Sequence, residues 1–176
     1  MAGARDASVW DCIVVGAGVV GSWTAYHLTK QGKRTLVIDQ FALPHSRGSS
    51  HGQSRIIRYS YTDPMYSAMM PESFRLWGQV EQEGGKQLFK KTGMLNLESR
   101  GGTKLDATRD AMKSCNQEYE DLDHSDICRR YPMLNFPADV RGLLDPNAGL
   151  LMNDRCLDVL RKLVVQNGGV IRDLEP

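Results

Sequence analysis

A glycine-rich turn close to the amino terminus most constrains the fold. Residues 9–15 read as a short buried strand, and Gly16–Gly21 ("GAGVVG") follow it with dinucleotide-binding spacing. Residues 22–32 carry helical apolar spacing up to Gly32, and "RTLVID" then predicts a second strand. The sequence therefore predicts a strand, helix and strand unit of the Rossmann-like type.

The three glycines and one acid fit a phosphate and a ribose. Gly16 permits a tight turn, Gly18 lets the backbone approach a pyrophosphate, and Gly21 packs the helix against the strand. Asp39 lies eighteen residues after Gly21, at the end of the second predicted strand, and suits a ribose hydroxyl pair. The alternative is a turn that binds nothing, which the strand, helix and acid in register disfavour. On these residues alone the dinucleotide is NAD or FAD.

A basic loop follows the acid. The stretch "PHSRGSSHGQSRIIRYSY", residues 44–61, holds two histidines, three arginines and several serines, and no acidic residue occurs between Asp39 and Asp63. As an isolated segment it predicts a solvated surface, but directly after the dinucleotide fingerprint it predicts an anion site. Aromatic residues are not interleaved before Tyr59, which disfavours single-stranded nucleic acid.

Bulk composition excludes several classes of protein. The 176 residues carry a formal net charge of +1, so no global charge excess points to nucleic acid or a membrane surface. The four cysteines show no metal-ligand spacing, which favours reduced thiols and no metal site. No signal sequence or membrane-spanning run is predicted.

Later segments predict further elements. Asp63 and Pro64 predict a helix start, and Pro71 is expected to kink or split that helix. "TGMLNLES" predicts a strand, residues 103–118 a helix, and "VRGLLDPNAGLLM" two strands around a turn. A helix capped near Asn153 or Asp154 and one more strand end the chain. A parallel sheet with so few strands cannot cover its apolar faces, so we expect an incomplete fold.

The segments "GAGVVGSWTAYHLTKQGKRTLVIDQF" and "PHSRGSSHGQSRIIR" resemble the amino-terminal region of the monomeric sarcosine oxidase family of flavoenzymes. The likeness is strongest to its animal peroxisomal members, which act on sarcosine or L-pipecolate. It covers nearly the whole chain but only about the first half of the family's length. The resemblance implies bound FAD and oxidation of the C–N bond of a secondary amino acid by O₂, giving an imine and hydrogen peroxide.

The resemblance also implies roles for individual residues. Arg58 falls on the family's arginine that pairs with the substrate carboxylate, and Arg55 on the arginine against the flavin ring. His51 falls beside the flavin. The remaining cofactor-binding residues it implies are Gly16, Gly18, Gly21, Asp39, Ser49, Ser50 and Ser54. The family's flavin-linking cysteine and its carboxylate-binding lysine fall beyond residue 176, so this chain alone is expected to be inactive.

The resemblance implies a domain plan. Residues 1–85 would form the FAD-binding portion, residues 86–148 the start of a substrate-domain segment, and residues 149–176 a return to the FAD-binding domain. The full-length protein is expected to be a monomer in the peroxisome, acting on a small amino acid and O₂. Two alternatives stay open, namely an NAD-dependent dehydrogenase and a truncated, non-catalytic FAD-binding fragment or isoform.

Overall fold

A computed structural model describes residues 9–176 and contains nine strands and five helices within that range. In chain order these are β1 (Cys12–Val15), α1 (Val19–Lys30), β2 (Thr35–Ile38), β3 (Ser54–Ile57), α2 (Pro64–Gly84), β4 (Phe89–Lys91), β5 (Met94–Ser99), α3 (Lys104–Ser114), β6 (Glu120–Leu122), α4 (His124–Arg130), β7 (Val140–Asp145), β8 (Gly149–Met152), α5 (Asn153–Gln166) and β9 (Val170–Arg172). The chain divides into two compact units, each described in turn.

The first unit contains the described residues up to Ser54 together with Gln79–Leu88 and Met152–Pro176. Its parallel sheet has the order β1-β2-β9, with Val14 opposite Val37 and Val37 opposite Ile171. Helices α1 and α5 pack against each other, and α1 packs on β1 and β2. Buried apolar side chains along these elements, including Tyr26 and Leu160, form its core. The predicted Rossmann-like class is confirmed.

The second unit contains Arg55–Gly78 and Phe89–Leu151. One sheet has the order β3-β8-β4 and the other β5-β7-β6, and β7 pairs antiparallel with both of its neighbours. Helices α3 and α4 pack on β7. Two clusters of buried side chains fill this unit, one around Leu105, Met112 and Leu143 and the other around Leu122, Ile127 and Val140.

Several elements differ from the sequence-based expectation. The first strand begins at Cys12 rather than at residue 9. The two strands of "VRGLLDPNAGLLM" belong to different sheets, because β7 pairs with β5 and β6 whereas β8 pairs with β4. Helix α3 ends at Ser114 instead of continuing to residue 118, and the short strand β6 follows it.

Helix α2 runs without a break through Pro71. Its start agrees with the prediction, since Asp63 Oδ1 accepts a hydrogen bond from the Met65 amide at 2.8 Å. The aromatic ring of Phe74 stacks on Tyr59 at 4.4 Å and meets Phe89 edge-on at 5.5 Å. Tertiary packing supplies most of the stability of helices in proteins, so α2 continues although Pro71 donates no backbone hydrogen bond.

None of the helices within residues 9–176 has the length and apolarity required to cross a membrane. Over the same range, histidine, cysteine and acidic side chains form no cluster suited to a metal ion.

Asp145 ties together two segments of the second unit. Its side chain is fully buried, and its Oδ2 accepts hydrogen bonds from the amides of Tyr59 at 2.7 Å and Ser60 at 3.1 Å. Its Oδ1 accepts from the amides of Asn147 and Ala148, both at 3.1 Å. Four backbone donors therefore compensate for the burial of this charge, and the segment after β3 is held to the turn after β7.

We expect Asp145→Ala to lower the free energy of unfolding by about 3 kcal/mol or more, because a buried unsatisfied donor costs ~1–3 kcal/mol. Urea unfolding followed by circular dichroism measures this change. Asp139→Ala, at an exposed position just before β7, is the matched control and is expected to change stability by less than about 0.5 kcal/mol. Equal losses in the two variants would contradict the role assigned to Asp145.

Candidate functional site

The glycine turn adopts the geometry that a phosphate-binding turn requires. Gly16 has a φ of +94°, which side-chain-bearing residues rarely adopt. A Cβ atom placed on Gly21 would lie 1.8 Å from the Gly16 carbonyl oxygen, so only glycine lets α1 start this close to β1. The amino-terminal end of α1, which is the positive end of the helix dipole, therefore sits directly on the turn.

Asp39 follows β2 and binds the turn through its carboxylate. Its Oδ2 accepts from the Ala17 amide at 2.8 Å, and its Oδ1 accepts from the Phe41 amide at 3.0 Å. Burial alone would raise the pKa of Asp39, but these two amides and the neighbouring His45 outweigh burial and lower that pKa below its ordinary value. The carboxylate stays charged, which suits an acceptor of ribose hydroxyl donors.

His45 orders the loop that follows Asp39. Its Nδ1 accepts from the Arg47 amide at 3.2 Å, and its Nε2 lies 3.1 Å from Asp39 Oδ1. The Phe41 ring contacts the His45 ring edge-on at 5.1 Å, and the Arg47 guanidinium lies over it at 4.9 Å. These contacts fix the chain immediately after the ribose-type acid.

Ser50 caps α1 from a distant part of the chain. Gly18, the N-cap residue, has no side chain to cap the helix, and Ser50 Oγ instead accepts from the Val19 amide at 2.9 Å. A Cβ atom on Gly18 would lie 3.1 Å from the same oxygen. The basic loop and the glycine turn thus meet at the amino-terminal end of α1.

Asn153 holds the same loop from the other side. The sequence predicted a helix cap near Asn153, and Asn153 is the first residue of α5. Its side-chain amide donates to the carbonyls of Ser50 at 2.5 Å and Gly52 at 3.0 Å. Its backbone amide donates to the Gln53 carbonyl at 3.0 Å. The sequence offered no signal for this role beyond an amide side chain at a helix start.

A cavity of about 1240 Å³ lies within the first unit, larger than the ~300–1,000 Å³ of common ligand sites. The turn, the acid, the basic loop and one side of α5 line it, through residues that include Gly16, Gly18, Asp39, Ser49, Ser50, His51 and Arg161. The cavity lining includes the glycine turn, which precedes the amino-terminal end of α1, and the Asp39 carboxylate, which are the two features expected at a dinucleotide site. The donors and acceptors present therefore fit FAD.

The remaining predicted residues occupy other positions. Gly21 packs under the turn rather than lining the cavity, and Ser54 begins β3 at an exposed position. Arg55 and Arg58 belong to the second unit, where Arg55 is exposed and Arg58 half-buried. The roles predicted for all these side chains stay predictions.

Arg58 lines a smaller cleft of about 440 Å³ inside the second unit, together with Ser60, Tyr61, Asn96 and Lys104. Its guanidinium lies 4.7 Å from the centre of the Tyr61 ring, and its Nη1 lies 3.8 Å from the Met94 sulfur. Over residues 9–176 these soft contacts, and no described carboxylate, hold the guanidinium. A guanidinium stacked on an aromatic ring keeps its outer edge suited to a carboxylate.

Comparison with known proteins agrees with this geometry. Residues 11–176 match the family described as DAO, FAD dependent oxidoreductase. The chain is 42% identical to peroxisomal sarcosine oxidase of Homo sapiens over 175 residues, which is 99% of this chain and 44% of that relative. It is 34% identical to monomeric sarcosine oxidase of Arthrobacter sp. (strain TE1826), with 95% of this chain and 43% of the relative covered. The chain thus spans less than half the length of these relatives.

Solved structures show the same fold. NikD, an unusual amino acid oxidase essential for nikkomycin biosynthesis, superposes with a TM-score of 0.81 at 27% identity, over 94% of this chain and 43% of that one. L-proline dehydrogenase from P. horikoshii also gives a TM-score of 0.81, at 20% identity and with 94% and 44% covered, and supports the fold alone. The dinucleotide geometry, the family match and these structures lead to one conclusion: the chain belongs to the family of FAD-dependent oxidoreductases.

Proposed function

We propose that this chain binds FAD in the cavity of the first unit. The observation that carries the proposal is the convergence of the glycine turn, the Asp39 carboxylate and the amino-terminal end of α1 on one cavity wall. Gly16 and Gly18 would accommodate the pyrophosphate, and Asp39 would accept from the adenosine ribose. Ser49, Ser50, His51 and Ser54 belong to the segment that would contact the rest of the cofactor.

We further propose that the protein to which this sequence belongs oxidises the C–N bond of a secondary amino acid of the sarcosine or L-pipecolate type. The names of the relatives in Homo sapiens, Mus musculus and Arthrobacter support this substrate class. Bound FAD would supply the chemistry, accepting a hydride equivalent from the amine and returning the electrons to O₂ as hydrogen peroxide.

Two arginines of the second unit would bind the substrate carboxylate and stabilise the negative charge that develops during the reaction. The Arg58 guanidinium offers two parallel donors for the substrate carboxylate, and its stacking on Tyr61 fixes the plane of the fork. Arg55 would place a fixed positive charge where negative charge develops during the reaction. His51 would act as a further polar group of the same loop.

The cellular setting is part of the proposal. Relatives from Homo sapiens and Mus musculus are named peroxisomal, whereas bacterial relatives are named monomeric sarcosine oxidases. These names support a peroxisomal protein that is monomeric at full length. A second possible function is FAD binding without turnover.

We expect flavin absorbance bands to travel with the 176-residue chain on gel filtration after FAD is added. Asp39→Asn should weaken FAD binding about tenfold or more, since a hydrogen bond to a charged acceptor contributes ~1.5–3 kcal/mol. Asp110→Asn, at an exposed position on α3, is the matched control. Folded chain that retains NAD and not flavin would favour a dehydrogenase, and folded chain that retains neither would exclude the cofactor site.

We expect Arg58→Ala to reduce the kcat/KM for sarcosine or L-pipecolate in a polypeptide of the relatives' full length. The loss should correspond to ~2–5 kcal/mol, the range for removing one partner of a buried charge pair. Peroxide release measures it, and Arg100→Ala, exposed after β5, is the control. Unchanged oxidation by Arg58→Ala with normal flavin content would remove Arg58 from the substrate site without affecting the FAD assignment.

A further inference from the structure

The Ala17 peptide, in the middle of the glycine turn, is held from both sides. Ala17 is fully buried, and its amide donates to Asp39 Oδ2 at 2.8 Å. Its carbonyl oxygen accepts three hydrogen bonds, from Ser22 Oγ at 3.0 Å, Arg161 Nε at 3.1 Å and Arg161 Nη2 at 2.5 Å. Ala17 does not line the cavity, although Gly16 and Gly18 on either side of it do.

The direction of this carbonyl matters to an anion. A backbone carbonyl oxygen carries partial negative charge, so a turn that aimed it at a pyrophosphate would repel the ligand, whereas one that exposes amides attracts it. Two donors from one rigid guanidinium fix a carbonyl more firmly than a single rotatable donor does, because the planar fork loses little freedom on binding. The Ala17 oxygen is thereby engaged inside the protein.

Arg161 also supplies charge to the cavity. It lies on α5, lines the cavity wall and is half-buried. Burial lowers the pKa of its guanidinium while the charges of Asp39 and Asp158 act in the opposite direction, and an arginine keeps its proton in such a setting. Asp39 also binds the Ala17 amide, so the guanidinium and this carboxylate hold the same peptide from opposite sides.

We propose that Arg161 is a positioning residue for diphosphate recognition: it keeps the Ala17 carbonyl engaged inside the protein, so that the partial negative charge of this oxygen is not presented to the ligand. The inference rests on the proposed FAD site and deepens it. The ligand class that this arrangement favours is a nucleoside diphosphate. Binding of the diphosphate group depends on Arg161, whereas binding of the base and the ribose does not.

The test compares ligands with and without the diphosphate. FAD and ADP are titrated calorimetrically into the 176-residue chain, and adenosine binding is followed by saturation-transfer NMR. Arg161→Met should weaken FAD and ADP about tenfold or more, the effect of losing a charge-assisted bidentate contact, and should change adenosine binding less than about twofold. Arg161→Lys, which keeps the charge and loses the fork, should fall between wild type and Arg161→Met.

A matched control uses the same helix. Arg155→Met makes the same chemical change at an exposed residue of α5 that does not line the cavity, and it should bind all three ligands as wild type does. Circular dichroism and thermal melting check that each variant is folded. If Arg161→Met does not fold, Arg161→Lys and Ser22→Ala test the same carbonyl and should weaken ADP more than adenosine.

The outcomes distinguish a failure of the role inferred for Arg161 from a failure of the proposed FAD site. Wild-type binding of FAD with equal binding by a folded Arg161→Met overturns the inference alone. A parallel loss of ADP and adenosine also overturns it, because a general structural role would weaken both. If wild type binds neither FAD nor ADP, the proposed function fails and the inference fails with it.

Discussion

Each compact unit of this chain depends on one buried carboxylate that collects backbone amides. In the first unit Asp39, 7% exposed, accepts from Ala17 and Phe41, and in the second Asp145, 0% exposed, accepts from four amides. A buried charge is costly unless donors surround it, so each carboxylate commits the segments that surround it to one geometry. The two segments so fixed are the ones that carry the candidate chemistry, the glycine turn and the stretch following Arg58.

Helix α5 binds two of the segments that surround the cavity of the first unit. Its first residue, Asn153, binds the carbonyls of the basic loop, and Arg161, two turns later, binds the Ala17 carbonyl. One rigid element therefore sets the distance between the phosphate-binding turn and the loop that follows the ribose-type acid. Loop residues form most of the cavity lining, and their contacts with a helix make them better ordered than a loop without such support.

Local chemistry explains which features could be predicted from the sequence. The glycine turn, the acid after β2 and the helix start at Asp63 each depend on residues near one another in the chain, and the structure agrees with all three. The sheet pairing of β7 and β8 was not predictable, because an apolar pattern does not specify which partner a strand takes. The resemblance to a known family supplied the residues of the basic loop, which spacing alone left open.

The residues whose roles could not be predicted from the sequence are those whose partners lie far away in the chain. Asn153 looks like an ordinary cap residue and Arg161 like a solvated helix cation, and only the fold brings them to Ser50 and Ala17. Such contacts have no periodicity and no motif. Sequence reasoning therefore predicted the glycine turn and Asp39, which line the cavity, but not the contacts by which Asn153 and Arg161 hold the neighbouring segments.

The contact between Arg161 and Ala17 joins residues 144 positions apart, so during synthesis the glycine turn exists well before its partner on α5 does. At roughly 5–20 residues per second this interval is on the order of ten seconds. During that time the Ala17 carbonyl lacks both of the guanidinium donors that hold it in the folded chain.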